Sequence, residues 1–389
     1  MTLASGLLLP MALAAGLVGQ TGTPEFPRAA NVPNERGAFA RQSRIVQFIE
    51  PGVLAPRRPR SDEAPKFRLL ADFERRRAVL LVGDRLVEDF PETFAELATA
   101  ISRRSELLVA VADHQKEPPV RKALAQAGVP GDRARLLHLA TDTIWIRDFG
   151  SVFIQAGDGG LRALDFDYRR RSGTKARERD DRAAGRIARR LRIPATRVAM
   201  TLEGGHLLSN GRGLLLVTTA AINANVARGY TVDETTGYFA RAFGCRTIVA
   251  LEPLRRESTG HVDVFACFTN ATTVLVGRYA ANVDPVNAAV LDRNAALLRR
   301  VRTEGGPLRV ERIPMPENDD DCWRTYTNCL FVKPAVLVPS YGGAEESEEA
   351  EALATFRRLL PGWQVETIDA SRLITREGAL RCAALHVPR

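Results

Sequence analysis

Cysteine is scarce in this chain: Cys245, Cys267, Cys322, Cys329 and Cys382 are spread over 389 residues without a CxxC pair. That pattern excludes a disulfide framework and the zinc or redox chemistry of paired thiols, and the odd count leaves at least one thiol unpaired. Aromatic residues make up only 6% and do not alternate with the basic clusters, so no stacking platform for nucleic acid is visible. The net charge of +9 comes from Arg interleaved with acids such as Glu178, Asp180 and Asp181, which reads as composition rather than as a nucleic-acid or membrane footprint. No apolar run approaches the roughly 20 residues of a membrane span. The stretch Leu7 to Val18 resembles the core of a secretory signal, yet no Lys or Arg precedes it, Pro10 interrupts it, and its Ala12-Leu13-Ala14 pattern comes early. Residues 1–24 are read as a signal-like segment of an exported protein. The alternative is a start codon placed too far upstream in a cytoplasmic one.

Residues 25–66 are rich in Pro and poor in apolar runs, which predicts a linker or extended arm, with the folded domain spanning 67–389. Helical patterns at Pro91 to Arg104 and Val286 to Arg302 alternate with strand-like runs at Ala78 to Val82 and Leu107 to Val111, an α/β pattern. Hairpin-like segments recur at Gly205 to Thr218, His261 to Gly277 and Tyr326 to Ser340, with related stretches at Ile144 to Ile154 and Leu380 to Val387. Polar residues stand at their leading edges. Asp148, Glu203, His261, Asn328 and Cys382 are separated by 55, 58, 67 and 54 positions. Units of that length fit a small propeller-like α/β architecture whose strand ends converge on an axis. They fit an ordinary α/β sheet with evenly spread motifs equally well.

One Cys, one His and several carboxylates are what cleavage of a guanidinium group requires. The group is planar, cationic and resistant to attack, so paired carboxylates must hold it in plane while a strong nucleophile reaches its carbon. A thiol beside the bound cation supplies the nucleophile, and an imidazole protonates departing ammonia and then activates water. His261-Val262-Asp263 reads as the start of a strand, which places His261 and Asp263 on one face. Arg147-Asp148 adds a second carboxylate, and Glu203-Gly204-Gly205 a third beside glycines that permit close backbone approach. His261-x-Asp263 is also the spacing of a metal pair, but no further ligand occurs at recognisable spacing, which favours acid/base use and predicts no metal and no cofactor.

Five stretches carry a resemblance: DTIWIRDFG (Asp142 to Gly150), LEGGHLLSNGRG (Leu202 to Gly213), TGHVDVFACF (Thr259 to Phe268), TYTNCLFV (Thr325 to Val332) and GALRCAALHVP (Gly378 to Pro388). Together and in this order they resemble the agmatine deiminase and bacterial peptidyl-arginine deiminase family of guanidine-modifying enzymes, over Phe67 to Pro388. The resemblance implies a five-bladed pseudo-symmetric α/β propeller of ββαβ modules, the pentein fold. It implies Cys382 as nucleophile, His261 as general acid/base, Asp148 and Asp263 as the guanidinium clamp, Glu203 as the acid beside the histidine, and Asn328 as a pocket residue. The substrate it implies is a small-molecule or peptide guanidinium: agmatine, giving N-carbamoylputrescine, or peptidyl-arginine, giving peptidyl-citrulline.

Ser151 departs from the Pro that often follows the RDxG pattern, Ala383-Ala384 from an Ile-Thr type of pair, and Arg381 from a His or Asn. On a strand Arg381 would point away from Cys382. Trp145 is read as shaping the pocket entrance or as core, His206 and His386 as pocket-edge or structural, and Cys267 and Cys329 as core. The run Arg169 to Arg171 lies where peptide-acting relatives bind a terminal carboxylate, though a solvated charge face also explains it. The acidic run Glu317 to Asp321 reads as a solvated turn rather than a calcium loop. Rival functions are an amidinotransferase, a catalytically dead guanidinium-binding protein and a metal-dependent hydrolase.

Overall fold

Ala78–Val82, Leu214–Thr218 and Ala335–Ser340 are largely apolar runs without polar alternation, and almost every residue in them is buried. Runs of that kind suit interior strands covered on both faces. A computed structural model describes residues 49–54, 66–168, 177–280, 282–318, 320, 322–342 and 346–389, and in it each run is an interior strand of its own sheet. The fold is mixed α/β.

One connectivity recurs among the described residues: two antiparallel strands, a helical segment, and a third strand parallel to the second. Val152–Ala156 and Leu161–Asp167 lead through helix Ala183–Leu191 to Ala195–Thr201. Leu208–Ser209 and Leu214–Thr218 lead through two helices to Thr247–Leu251. Ala266–Asn270 and Thr273–Arg278 lead through Pro285–Leu298 to Arg309–Pro314. Leu330–Val332 and Ala335–Ser340 lead through Glu346–Leu359 to Gln364–Asp369. The fifth sheet joins the chain ends: Ala384–Val387 pairs antiparallel with Ala78–Val82, which continues through Pro91–Ser102 to the parallel strand Glu106–Val111. Ala134–His138 extends that sheet by one strand.

Local chemistry explains the helices. Phe94, Leu97, Ala98 and Ile101 fall on one face of Pro91–Ser102 and are buried, and Pro91 starts the helix where its missing N–H costs nothing. Val232–Phe243 opens on a capping box between Thr231 and Glu234 and stops at Gly244, whose φ of 66° is left-handed.

Three expectations are corrected. His261 and Asp263 precede the strand Ala266–Asn270 in a turn rather than beginning a strand. Cys382 likewise lies in a turn, two residues ahead of Ala384–Val387. Leu380 to Val387 is half of a hairpin only, its partner strand lying some 300 residues earlier in the chain. Within the stretch read as a linker or arm, Gly52–Leu54 is a strand paired with Thr247–Leu251. The signal-like segment, residues 25–48 and 55–65, and Arg169 to Arg171 lie outside the described residues, as do residues 319 and 321 of the acidic run. No helix among the described residues is long and apolar enough to cross a membrane.

Leu385 is 3% exposed in the strand that ties the two chain ends together. Leu385→Ala should cost about 2–5 kcal/mol in chemical denaturation; a loss below about 1 kcal/mol would show that this pairing does not anchor the fold.

Candidate active site

The five evenly spaced polar residues each stand just ahead of the first strand of a repeated unit: Asp148 before Val152, Glu203 before Leu208, His261 before Ala266, Asn328 before Leu330 and Cys382 before Ala384. Asn328 holds the cysteine turn in place. Its side-chain oxygen accepts from the backbone N–H of Arg381 at 3.0 Å and of Cys382 at 3.3 Å, and its Nδ2 lies 3.2 Å from Cys382 Sγ as a donor. Burial, with Asp263 and Asp148 next in effect, keeps the Cys382 thiol well above its ordinary pKa, so the empty site favours the neutral thiol.

His261 is 2% exposed, with Nε2 2.8 Å from Glu203 Oε2 and Nδ1 3.8 Å from Asp148 Oδ1. Burial disfavours the imidazolium, but Asp148, Glu203 and Asp263 outweigh it and raise the histidine to about 10. Asp148 sits on the single helical turn Ile146–Phe149 and is pushed up to about 7 by burial, with Glu203 and Asp263 adding to it and His261 and Arg147 opposing. The glycines beside Glu203 permit this closeness. A Cβ on Gly205 would lie 2.2 Å from His261 Nδ1.

Asp263 is fully buried, and its Oδ2 accepts from Arg381 Nη1 at 2.6 Å. Arg381 also donates to Asp72 Oδ2 at 2.7 Å and to the carbonyls of Leu207 and Gly204. Its guanidinium therefore does not point away from the site; it fixes one of the site carboxylates from behind. Asp263 Oδ1 and Asp148 Oδ1 are buried without a hydrogen-bond partner among the described residues. Buried acceptors left unmade are costly, so the pair is arranged to receive a donor.

A cavity of about 1050 Å³ opens onto this cluster, lined among others by Asp148, Glu203, His206, Trp145, Tyr168 and Arg177. Trp145 is half-buried on the cavity wall against Gly378, where a Cβ would come within 2.5 Å of the ring. His261, Asp263, Asn328 and Cys382 are buried and are not lining residues. His206 lies at the cavity edge, its ring 4.5 Å from that of His261 in edge-on contact. Glu203, His206 and His261 bring ligand atoms within 4.8 Å of one another, a group of three without Asp263 that spacing along the chain does not reveal. Cys267 and Cys329 are core, as expected.

Residues 68–388 match the sequence model of the Porphyromonas-type peptidyl-arginine deiminases. The chain belongs to that family. The agmatine deiminase of Stutzerimonas stutzeri is 25% identical over 327 residues, 76% of this chain and 86% of the relative. A Porphyromonas gingivalis protein assigned as an arginine deiminase superposes with a TM-score of 0.71 at 26% identity, over 83% of this chain and 99% of that one. The agmatine deiminase of Enterococcus faecalis shares the fold, with a TM-score of 0.73 at 19% identity over 83% of this chain and 96% of its own.

In this member of the deiminase family the residues missed from sequence are those that support the cluster. Asp72, from the turn between strands Phe67–Leu69 and Ala78–Val82, joins Arg381 and lies 3.4 Å from His386 Nδ1. Burial holds His386 down at about 4, and it donates from Nε2 to the carbonyl of Phe331 while Arg147 donates to its Nδ1. No motif marks Asp72, since its partners are 309 positions away and more.

Two tests follow from this geometry. Arg381→Met leaves Asp263 and Asp72 buried without their cation and should cost about 3–5 kcal/mol in unfolding experiments; an unchanged midpoint would mean the pair is not buried in solution. Imidazole NMR should show His261 protonated up to pH near 10, and Glu203→Gln should lower that titration. An identical titration in the variant would remove Glu203 as the acceptor.

Proposed function

We propose that this protein hydrolyses the C–N bond of a guanidinium group, releasing ammonia and leaving a ureido product, through a covalent intermediate on Cys382. The observation that carries the reading is the pair of unpartnered, buried oxygens on Asp148 and Asp263 beside a buried thiol and a cationic imidazole. Two coplanar N–H groups of a guanidinium supply the donors those oxygens lack and place its carbon before the sulfur. The incoming positive charge also offsets the two carboxylates that hold the thiol neutral, so binding favours the thiolate, whose proton passes to solvent and is regained when the product leaves.

Cys382 thiolate attacks the guanidinium carbon, and His261 gives its proton to the departing nitrogen, which leaves as ammonia from an amidino-thioether cation. The now neutral His261 takes a proton from water, whose oxygen adds to the same carbon. Collapse expels the thiolate and releases the ureido product. The proton lost in that step balances the ammonia as ammonium. Glu203 keeps His261 oriented and cationic for the first half, and Asn328 donates to the sulfur.

The five sheets are the blades of a pseudo-symmetric five-bladed α/β propeller of the pentein type, with the residues ahead of each first strand at the axis. The repeated connectivity and the convergence of Asp148, Glu203, His261, Asn328 and Cys382 support that arrangement.

The substrate is an arginine side chain carried on a peptide. The cavity is at the upper end of the roughly 300–1,000 Å³ of sites for drug-sized ligands, more than agmatine fills. Arg85, Arg177, Arg228 and Arg376 on its walls favour a ligand with carboxylate or carbonyl groups. Agmatine is the second reading, favoured by Glu203, Asp142 and Asp89 on the same walls, which suit a terminal ammonium.

The protein should be incubated with a peptide ending in arginine, with free arginine and with agmatine, and ammonia and ureido product measured. Turnover of the peptide with little on agmatine supports the first reading; the reverse selects the second. Cys382→Ser should lower turnover at least about a thousandfold, and full activity in that variant rejects the covalent route. Asp148 is neutral below about pH 7 and anionic above it, whereas His261 loses its proton near pH 10. kcat/KM should therefore rise through pH 7 and fall towards pH 10.

A further inference from the structure

His114, Glu117 and His138 lie together at the ends of two parallel strands, and none of them lines the deimination cavity. Three successive pieces of chain supply them. His114 begins the short 3-10 turn His114–Lys116, which Asp113 caps by accepting from the N–H groups of Gln115 and Lys116. Glu117 is the first residue of helix Glu117–Gln126, and His138 is the last residue of strand Ala134–His138. Glu117 Oε1 lies 3.0 Å from His114 Nδ1 and 2.7 Å from His138 Nε2. The two imidazole rings meet edge to face with centroids 4.0 Å apart.

We propose that His114, Glu117 and His138 form a binding site for one divalent transition-metal ion of the zinc class, separate from the deimination site. Two imidazole nitrogens and a carboxylate oxygen are the donor set such ions take, and ligand atoms about 2.0–2.2 Å from a tetrahedral ion stand about 3.4 Å apart. Glu117 Oε1 stands at 3.0 and 2.7 Å from the two imidazole nitrogens and all three donor atoms lie within 4.8 Å of one another, so side-chain movement on the order of 1 Å opens the triangle. The carboxylate is oriented for this role. Arg121 donates from Nε and Nη2 to Oε2 at 3.1 and 2.7 Å, which turns Oε1 toward the histidines, the outer support that metal-binding carboxylates use. His114 is 84% exposed at its side chain, so an ion has a path in and a water keeps the fourth position. His138 leads, four residues on, into Asp142, Thr143, Ile144 and Trp145 on the wall of the deimination cavity. An ion at this site clamps the end of the strand that carries that wall.

The test uses the full chain without an affinity tag, stripped by chelator and titrated calorimetrically with Zn²⁺, then with Co²⁺ to read coordination from visible absorption. Glu203, His206 and His261 form a rival cluster, so the Glu203→Gln/His206→Asn variant is titrated in parallel. The expected result is one equivalent bound by wild type and by that variant, with a tetrahedral cobalt spectrum. His114→Ala and His138→Ala should each bind at least tenfold more weakly, and His114→Ala should keep metal-free deimination unchanged. No stoichiometric uptake by wild type overturns the proposal. So does uptake that survives His114→Ala and His138→Ala but is lost in the Glu203→Gln/His206→Asn variant.

Discussion

A guanidinium buried between two carboxylates is the constraint on which the site depends. Arg381 is 3% exposed and reaches Asp72 on one side and Asp263 on the other. A buried charge of that kind is held only by partners such as these, and removing one of them leaves the others uncompensated. Three distant parts of the chain are therefore fixed relative to one another: the turn that carries Asp72, the turn ahead of Ala266, and the turn that carries Cys382. Cys382, the proposed nucleophile, adjoins Arg381 in sequence, so the anchor that positions Asp263 also positions the sulfur.

The charge balance of the empty site then explains its chemistry. Asp148, Asp263 and Glu203 surround one imidazolium, and the thiol stays protonated because a further anion is unfavourable among them. A cationic substrate changes that balance in every term that matters. It gives the orphan oxygens their donors and makes the thiolate affordable next to two carboxylates. It also weakens the hold of those carboxylates on the proton of His261, which must leave during the first half of the reaction. In the proposed reaction such a site selects a cation without a separate recognition element, because the cation itself activates the proposed nucleophile.

Much of the site was legible along the chain. Asp148, Glu203, His261, Asn328 and Cys382 stand at near-regular spacing because each precedes the first strand of a repeated unit, and repetition survives in sequence as periodicity. Their local conformations were read less well. His261 and Asp263 were expected on a strand and lie in a turn, because polar residues at strand entrances can continue the extended backbone or break from it with little change in composition. Arg381 was assigned to the far face on the same strand assumption. In a turn its side chain is free to swing behind Asp263. Asn328 matched a pocket residue in pattern, yet its hydrogen bonds to two backbone N–H groups of the cysteine turn place it underneath.

The amino-acid sequence by itself determined the alternation of helix and strand, the recurrence of the unit, and which residue types stand at its leading edges, because hydrophobic periodicity and motif order are properties of neighbours along the chain. Tertiary structure alone decided that Ala384–Val387 completes a sheet begun some 300 residues earlier, that Asp72 reaches Arg381, and that one oxygen each of Asp148 and Asp263 is buried without a hydrogen-bond donor among the described residues. Those features depend on contacts between residues far apart in sequence, whose charges and hydrogen-bond partners are set only when the sheets come together.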